Sequence, residues 1–497
     1  MAVCGLYICG RRPEREEMVA TKRKDMDMTQ GAILPKILVF VLPLIVTNLL
    51  QMLYNAADMI VVGLSTEGDA VGAIGTTGAF TSLVVNLFIG LSVGANVVVA
   101  RHLGAGENDR ASIAVHTSTI IGVALGVVGG GVGIAISKPV MQLLGNQGRL
   151  LELSVTYVRF YFGALPFHAL SNYAIALHRA KGDTRTPLIV LSLSGILNVA
   201  LNLFFVLVLG MSVQGVALAT GIAAAVSAAV LYANLMRDKG PCRFSFRHLR
   251  FDRSEANKIL LIGIPAGVQG ALFSISNMLI QSSIIAVNNS VFPSDAAYQP
   301  VVKGNAAAAN LEGFAYTAVN AMQQAAVTFT SQNVGAAKYG RVKRVMACCY
   351  GFGIAVGLAV TAILLGLMDP LLALYGVKEV AGDPLSFAAY EAGKARMMWT
   401  LLPYAIIALM EVGSGTLRGL GKSLTSTGIC LLFACILRVV WRFTIFRIDP
   451  ESITSSLASI YISYPVSWLL AGGFLFLFSA LNLRRLIRTY REFHAEL

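Results

Sequence analysis

Charge is scarce in this 497-residue chain. Asp, Glu, Lys and Arg together make up 13% of it, against roughly 25% in an ordinary soluble domain. A fold whose whole surface meets water is therefore excluded. Period-2 alternation in units of ~10 residues is missing too, which excludes a membrane β-barrel. No phosphate-cradling GxxxxGK[ST] loop, HExxH pair or GxSxG elbow occurs, so the chain does not read as an enzyme. The seven cysteines show neither zinc-ligand nor disulfide-framework spacing. Four of them sit in greasy stretches as small apolar fillers, and no metal or bound cofactor is expected.

What the chain has is hydrophobic length. Apolar residues are 56% of it, in runs such as 84–100, 113–136 and 189–209. Each is close to the ~20 residues a helix needs to cross a bilayer. The pattern predicts helices at about 34–64, 70–100, 111–136, 150–178, 187–209, 213–236, 257–286, 303–333, 344–368, 387–417, 423–446 and 453–481. The expected fold is an all-α integral membrane protein with twelve transmembrane helices in two six-helix bundles. The expected domains are a tail at 1–28, a bundle at 29–236, a linker at 237–256, a second bundle at 257–481 and a tail at 482–497. Residues 1–17 read as a dispensable tail or a mis-assigned start.

The formal net charge of +13 sits in loops, so topology explains it better than nucleic-acid binding. With both termini cytoplasmic, 29 of the 39 Lys and Arg fall in inside segments. Seven (Lys138, Arg149, Lys303, Lys378, Lys394, Arg396 and Arg447) fall in outside loops, and Arg159, Arg438 and Arg442 lie within helices. This favours a multi-pass protein of a bacterial inner membrane.

The halves resemble each other. Leu103-Gly-Ala-Gly-Glu-Asn-Asp-Arg110 after the second helix matches Val334-Gly-Ala-Ala-Lys-Tyr-Gly-Arg341 after the eighth. Pro43 matches Pro265. Ile196-Leu-Asn-Val-Ala-Leu-Asn202 matches Ile436-Leu-Arg-Val-Val-Trp-Arg442. A repeat of six helices keeps its orientation, so the pseudo-two-fold axis lies along the membrane normal, which suits two bundles rocking about a central site.

Polar groups inside lipid are costly and tend to face a shared interior. In the first helix Asn48, Gln51, Asn55 and Asp58 fall on one face. Desolvation at that depth suits Asp58 to carrying a proton or cation, although a fixed helix-packing role fits the same residue. Tyr54, Asn198 and Asn202 join it as candidate coupling residues. Gln51, Asn55, Asn277, Gln281, Glu312, Asn320, Glu411, Arg438 and Arg442 are candidate cavity residues. Glu312 is expected to pair with Arg438 or Arg442, either as a structural salt bridge or as a pair that opens in transport. Glu411, about two turns before Arg418, could bind a cationic substrate or pair near the inner mouth.

These stretches resemble the multidrug and toxic compound extrusion (MATE) family, closest to its DinF-like bacterial members. They are Pro43-Leu-Ile-Val-Thr-Asn-Leu-Leu-Gln-Met-Leu-Tyr-Asn-Ala-Ala-Asp58, Gly90-Leu-Ser-Val-Gly-Ala-Asn96, Gly104-Ala-Gly106, Arg179-Ala-Lys-Gly-Asp183, Gly313-Phe-Ala-Tyr-Thr317, Phe329-Thr-Ser-Gln-Asn-Val-Gly335 and Leu417-Arg-Gly-Leu-Gly421. The resemblance implies export of lipophilic or cationic compounds by alternating access, driven by H+ or Na+, with Asp58 at the usual cation site. This chain departs from proton-coupled relatives at Asn202, where they carry an acid, and from sodium-coupled relatives near Phe273. The expected partners are a small-molecule substrate and membrane lipids, with the chain acting as a monomer. A flippase for lipid-linked oligosaccharide is the alternative transport reading. A non-transporting membrane scaffold is a third, disfavoured by the charges within helices.

Overall fold

A computed structural model describes residues 26–63, 70–292, 299–449 and 451–495. The expectation about residues 1–17 lies outside them. Among the described residues, nine helices are long and apolar enough to cross a bilayer, and a bent pair makes a tenth. Two further helices complete the twelve spans. In chain order the spans are Ile33–Gly63, Ala70–Ala105, Asn108–Leu143, the broken Gly148–Gly163 and Leu165–Ala180, Arg185–Val208 and Val213–Met236. The second half follows with Arg253–Val291, Pro300–Gly335, Tyr339–Gly366, the bent Pro384–Leu401 and Tyr404–Gly419, Ser423–Thr444, and Ile453–Tyr461 with Ser463–Ala495. They are called spans 1 to 12 below.

The breaks have local causes. Span 4 is interrupted at Ala164, just before Pro166, which has no N–H to continue the ladder. Gly126 and Gly130 of span 3 lie against the backbone of that break, at Pro166 and Phe162, where a side chain would collide. Span 10 bends by 42° around Pro403. There the Thr361 hydroxyl donates to the Leu401 carbonyl at 2.9 Å, supplying a partner from span 9. Span 8 fails the apolar test because polar residues dot its length. It is instead one of the most enclosed helices, with Asn305, Thr328, Gln332 and Asn333 all buried.

Spans 1 and 7, related by the repeat, each divide their packing between the halves. The start of span 1 (Ile37, Phe40, Val41, Leu44) is buried against Met322, Ala325 and Phe329 of span 8 and Val345 and Cys349 of span 9. Phe40 meets the Phe329 ring edge-on at 5.6 Å. Its far end packs instead on span 5, where Tyr54 donates to the Ser192 carbonyl at 3.1 Å. Span 7 does the reverse. Its Ile259 and Ile262 join the core of the first half, and its Ile280, Ile284 and Val287 join that of the second.

The halves close on each other at the end that carries the basic loops. Gly90 of span 2 faces Gly267 of span 7, and Gly94 faces the Ile259 carbonyl. Further along, Gly104 lies on the backbone of Gln332 while Gly335 lies on that of Arg101. These last two are the repeat-matched glycines, each seated on the other half's helix. Glycine is what lets the backbones come this close. The short segment 26–30 then ties the same face. Met26 N–H donates to the Lys181 carbonyl at 3.2 Å, and Met28 N–H to Gln332 Oε1 at 3.2 Å. Asn333 and Arg341 both donate to the Met28 carbonyl, each at 3.2 Å. Gln332 completes the bridge by donating to the Ala180 carbonyl at 2.7 Å.

Gly104→Val and Gly335→Val should each lower the melting temperature of the purified protein, since overpacking costs about 1–3 kcal/mol. Gly131→Val should not, because that position meets open space. Differential scanning fluorimetry in detergent reads the contrast.

Candidate functional site

In the first half the polar residues converge. Asn202 of span 5 donates through Nδ2 to Asp58 of span 1 and lies 3.4 Å from Asn198 Oδ1. Asn198 in turn donates to Thr220 Oγ1 of span 6 at 3.2 Å. Asn202 is fully buried and Asn198 nearly so. Tyr157 and Tyr161 of span 4 are within electrostatic reach of the carboxylate. Tyr54 packs its ring on Gly195, one turn before Asn198, where any larger residue would displace it. Asn202 Oδ1 is buried and has no partner among the described residues. The Asp58 carboxylate and the Asn202 oxygen are thus two acceptors side by side.

The second half is built differently. Glu312 of span 8 accepts from Arg396 Nε at 3.0 Å and Nη2 at 2.8 Å. Arg396 Nη1 donates to Asn305 Oδ1 at 2.7 Å, which also accepts from the Tyr461 hydroxyl at 2.7 Å. Asn305 Nδ2 donates to Gln281 Oε1 of span 7 at 3.0 Å. This corrects two expectations. Glu312 pairs with neither Arg438 nor Arg442, and Arg396 is not in an outside loop. Span 10 starts at Pro384, three residues before the expected 387, behind Asp383, which accepts from Leu385 N–H at 3.0 Å. Arg396 lies about three turns inside it, opposite Glu312, in the expected helix 387–417 rather than in a loop.

Arg438 donates to Ser467 Oγ at 2.9 Å with its guanidinium 4.2 Å from the centre of the Tyr464 ring. Arg442 donates to Ser283 of span 7. Glu411 is buried, and its Oε2 has no partner among the described residues. Gln51, Asn55 and Asn277 are exposed. Asn320 accepts from Gln324 at 2.8 Å and donates to Gln323 at 3.3 Å.

Three π-helical segments adjoin these groups. Phe204–Val208 begins two residues after Asn202, Met397–Leu401 directly follows Arg396, and Leu431–Ile436 ends two residues before Arg438. Such bulges cluster at functional sites because they re-aim side chains. Periodicity does not reveal them. Asn305, Thr220 and Arg396 also escaped the sequence reading, although Asn305 lies seven residues before Glu312, hence on its face.

The Arg179–Asp183 stretch is structural. Asp183 accepts from Thr186 N–H at 3.0 Å at the start of span 5 and lies 3.3 Å from His178 Nδ1. Burial works to raise its carboxyl, but the hydrogen bonds from His178 and Thr186 outweigh that and hold it at about 2. Among the described residues no group of three or more His, Cys, Asp or Glu could hold a metal ion.

The sequence profile of the MatE family matches residues 43–204 and 265–444. The chain belongs to that family. It is 25% identical over 463 residues to the probable multidrug resistance protein YoeA of Bacillus subtilis, covering 90% of this chain and 95% of the relative. It is 24% identical to the FAD transporter of Shewanella oneidensis, covering 67% of this chain and 72% of that one. Neither is named a flippase, so the lipid-linked oligosaccharide reading is not favoured. Among solved structures, an outward-facing multidrug resistance MATE transporter superposes with TM-score 0.81 at 19% identity, covering 93% of this chain and 98% of the other. A MOP-superfamily transporter from Pyrococcus furiosus also gives 0.81 at 19% identity, covering 92% and 98%. At that identity these two show the fold alone. A MatE transporter, this chain is not an enzyme.

Arg396→Gln leaves Glu312 buried without its cation and should destabilise the protein by about 3–5 kcal/mol. The double variant Glu312→Gln with Arg396→Gln should recover much of that. A double-mutant cycle on melting midpoints measures the coupling.

Proposed function

We propose that this MatE protein exports small lipophilic or cationic organic compounds across the bacterial inner membrane, in exchange for H+ or Na+, with Asp58 carrying the coupling ion. The observation that carries the reading is the Asp58–Asn202 pair inside the first half, with the Asn202 oxygen left without a partner. Protonation or cation capture there supplies what the amide oxygen lacks and removes a charge from a low-dielectric interior. The two events then favour different packings of span 1 on span 5.

Alternating access follows from the same reading. With both termini cytoplasmic, the stitched face of segment 26–30, Gln332 and the paired glycines is the inner gate. Opening it requires separating Gly104 from Gln332 and Gly335 from Arg101, while spans 1 and 7 keep the halves joined. Relatives named for multidrug resistance support the substrate class.

Asp58→Asn should abolish efflux of ethidium from proteoliposomes under an imposed gradient, while the protein keeps its melting temperature within a few degrees. Undiminished efflux would remove Asp58 from the mechanism. Imposing proton and sodium gradients separately on the unaltered protein decides the ion. Equal transport with neither gradient would overturn antiport.

A further inference from the structure

The second half contains more buried positive charge than its carboxylates answer. Three arginines, Arg396, Arg438 and Arg442, gather between spans 7, 8, 10, 11 and 12. Glu312 is spent on Arg396. Among the described residues neither Arg438 nor Arg442 forms a salt bridge. Arg438 is only 7% exposed, yet its bonded partner is a serine hydroxyl, through Nε alone. Its other close support is aromatic, from Tyr464 at 4.2 Å and Trp468 at 6.0 Å, and the carboxylate in its electrostatic reach, Glu312, is already bonded to Arg396. Arg442 rests on Ser283 and lies 5.5 Å from the Phe446 ring. Ring faces hold a cation in place without neutralising it. An uncompensated guanidinium in a membrane interior is costly enough that it normally has an anion to meet.

The internal repeat makes the excess pointed. Arg438 and Arg442 occupy the places that Asn198 and Asn202 hold in the first half. In both halves the second residue of the pair bonds across to the repeat-related neighbouring helix. Asn202 of span 5 reaches Asp58 of span 1, and Arg442 of span 11 reaches Ser283 of span 7. One scaffold thus holds a carboxylate with two amides in the first half, and a hydroxyl with two guanidiniums in the second. The π-helical turns beside Arg396 and Arg438 adjust the same helices. Two guanidiniums one turn apart suit a planar or tetrahedral oxyanion, which they can engage with several charge-assisted bonds.

We propose that Arg438 and Arg442 form an anion site that binds the carboxylate or phosphate group of the transported compound. The substrate is then an organic molecule that carries an anionic group beside its lipophilic or cationic part. This rests on the reading that the protein moves an organic substrate, and it narrows that substrate's chemistry. Glu312 acts here as a positioning residue that keeps Arg396 from joining the open pair.

The test uses a matched pair of dyes, rhodamine 110 with its free carboxylate and rhodamine 123, its methyl ester. Fluorescence titration of the full-length purified protein should show the acid bound about tenfold or more tightly, the worth of one charge-assisted hydrogen bond. Arg438→Gln and Arg442→Gln should each erase that preference by weakening the acid alone, and Arg442→Lys should keep part of it. If Arg438→Gln fails to fold, the half-buried Arg442 still carries the test. Equal affinity of the unaltered protein for acid and ester overturns the proposal, as does equal weakening of both dyes in Arg442→Gln. Thermal stabilisation by inorganic phosphate with no preference for the acid would assign the site to a free ion, and overturns it too. Dye binding needs no ion gradient, so its outcome is independent of the Asp58 efflux assay.

Discussion

A carboxyl or guanidinium in hydrocarbon must find its partners within the protein, because lipid offers none. That constraint sorts the interior of this chain. In the first half it sets Asp58 against Asn202 and links Asn198 to Thr220. In the second it draws Glu312, Arg396, Asn305, Tyr461 and Gln281 into one connected network. It also governs how the halves meet. Where spans 2, 7 and 8 press together, glycine removes the side chains altogether. The contact is then backbone on backbone.

Much of this was legible because helices impose a regular spacing on what they bury. The twelve spans, the repeat and the shared face of Gln51, Asn55 and Asp58 all come from periodicity and length. The approach of Asn202 to Asp58 follows once both are placed in the same bundle. Span 8 was legible only by counting spans, since its polar residues pull it below the apolarity of its neighbours. The pairing of Glu312 was not legible. It turns on which face of span 10 carries Arg396, and that is set by how the helix packs on span 8 rather than by its length. The π-helical turns were equally hidden, because one extra residue in a turn leaves no mark on composition.

The repeat supplies two copies of a scaffold, and the differences between the copies say more about function than the similarities. Gly104 and Gly335 are preserved because each seats the other half's helix, so a change in either alters the common seam. The residues at 198 and 202 have no such reciprocal duty towards 438 and 442. They face separate interiors and are free to diverge. Amides stand beside a carboxylate in one half, and guanidiniums beside a hydroxyl in the other. Under the proposed exchange, the two halves offer an ion and an organic molecule sites of unlike chemistry on one frame.

Spans 1 and 7 are what make that frame a single device. Each starts in the core of the opposite half and ends in its own, so neither half can tilt at the gate without the two spans bending or sliding. Pro43 lies in the stretch of span 1 that packs on the second half, and Asp58 lies fifteen residues further on, about 22 Å along the helix axis. The bond from Asn202 holds that far end against span 5. On the proposed coupling, neutralising Asp58 exchanges this charge-assisted bond for a neutral one and lets the new hydroxyl donate to Asn202 Oδ1, so the contact of span 1 with span 5 is remade. The packing at one end of span 1 would thereby change while its other end stays in the inner seam. On that reading a local change of charge shifts the relative stability of two arrangements of a single helix, with no longer chain of contacts required.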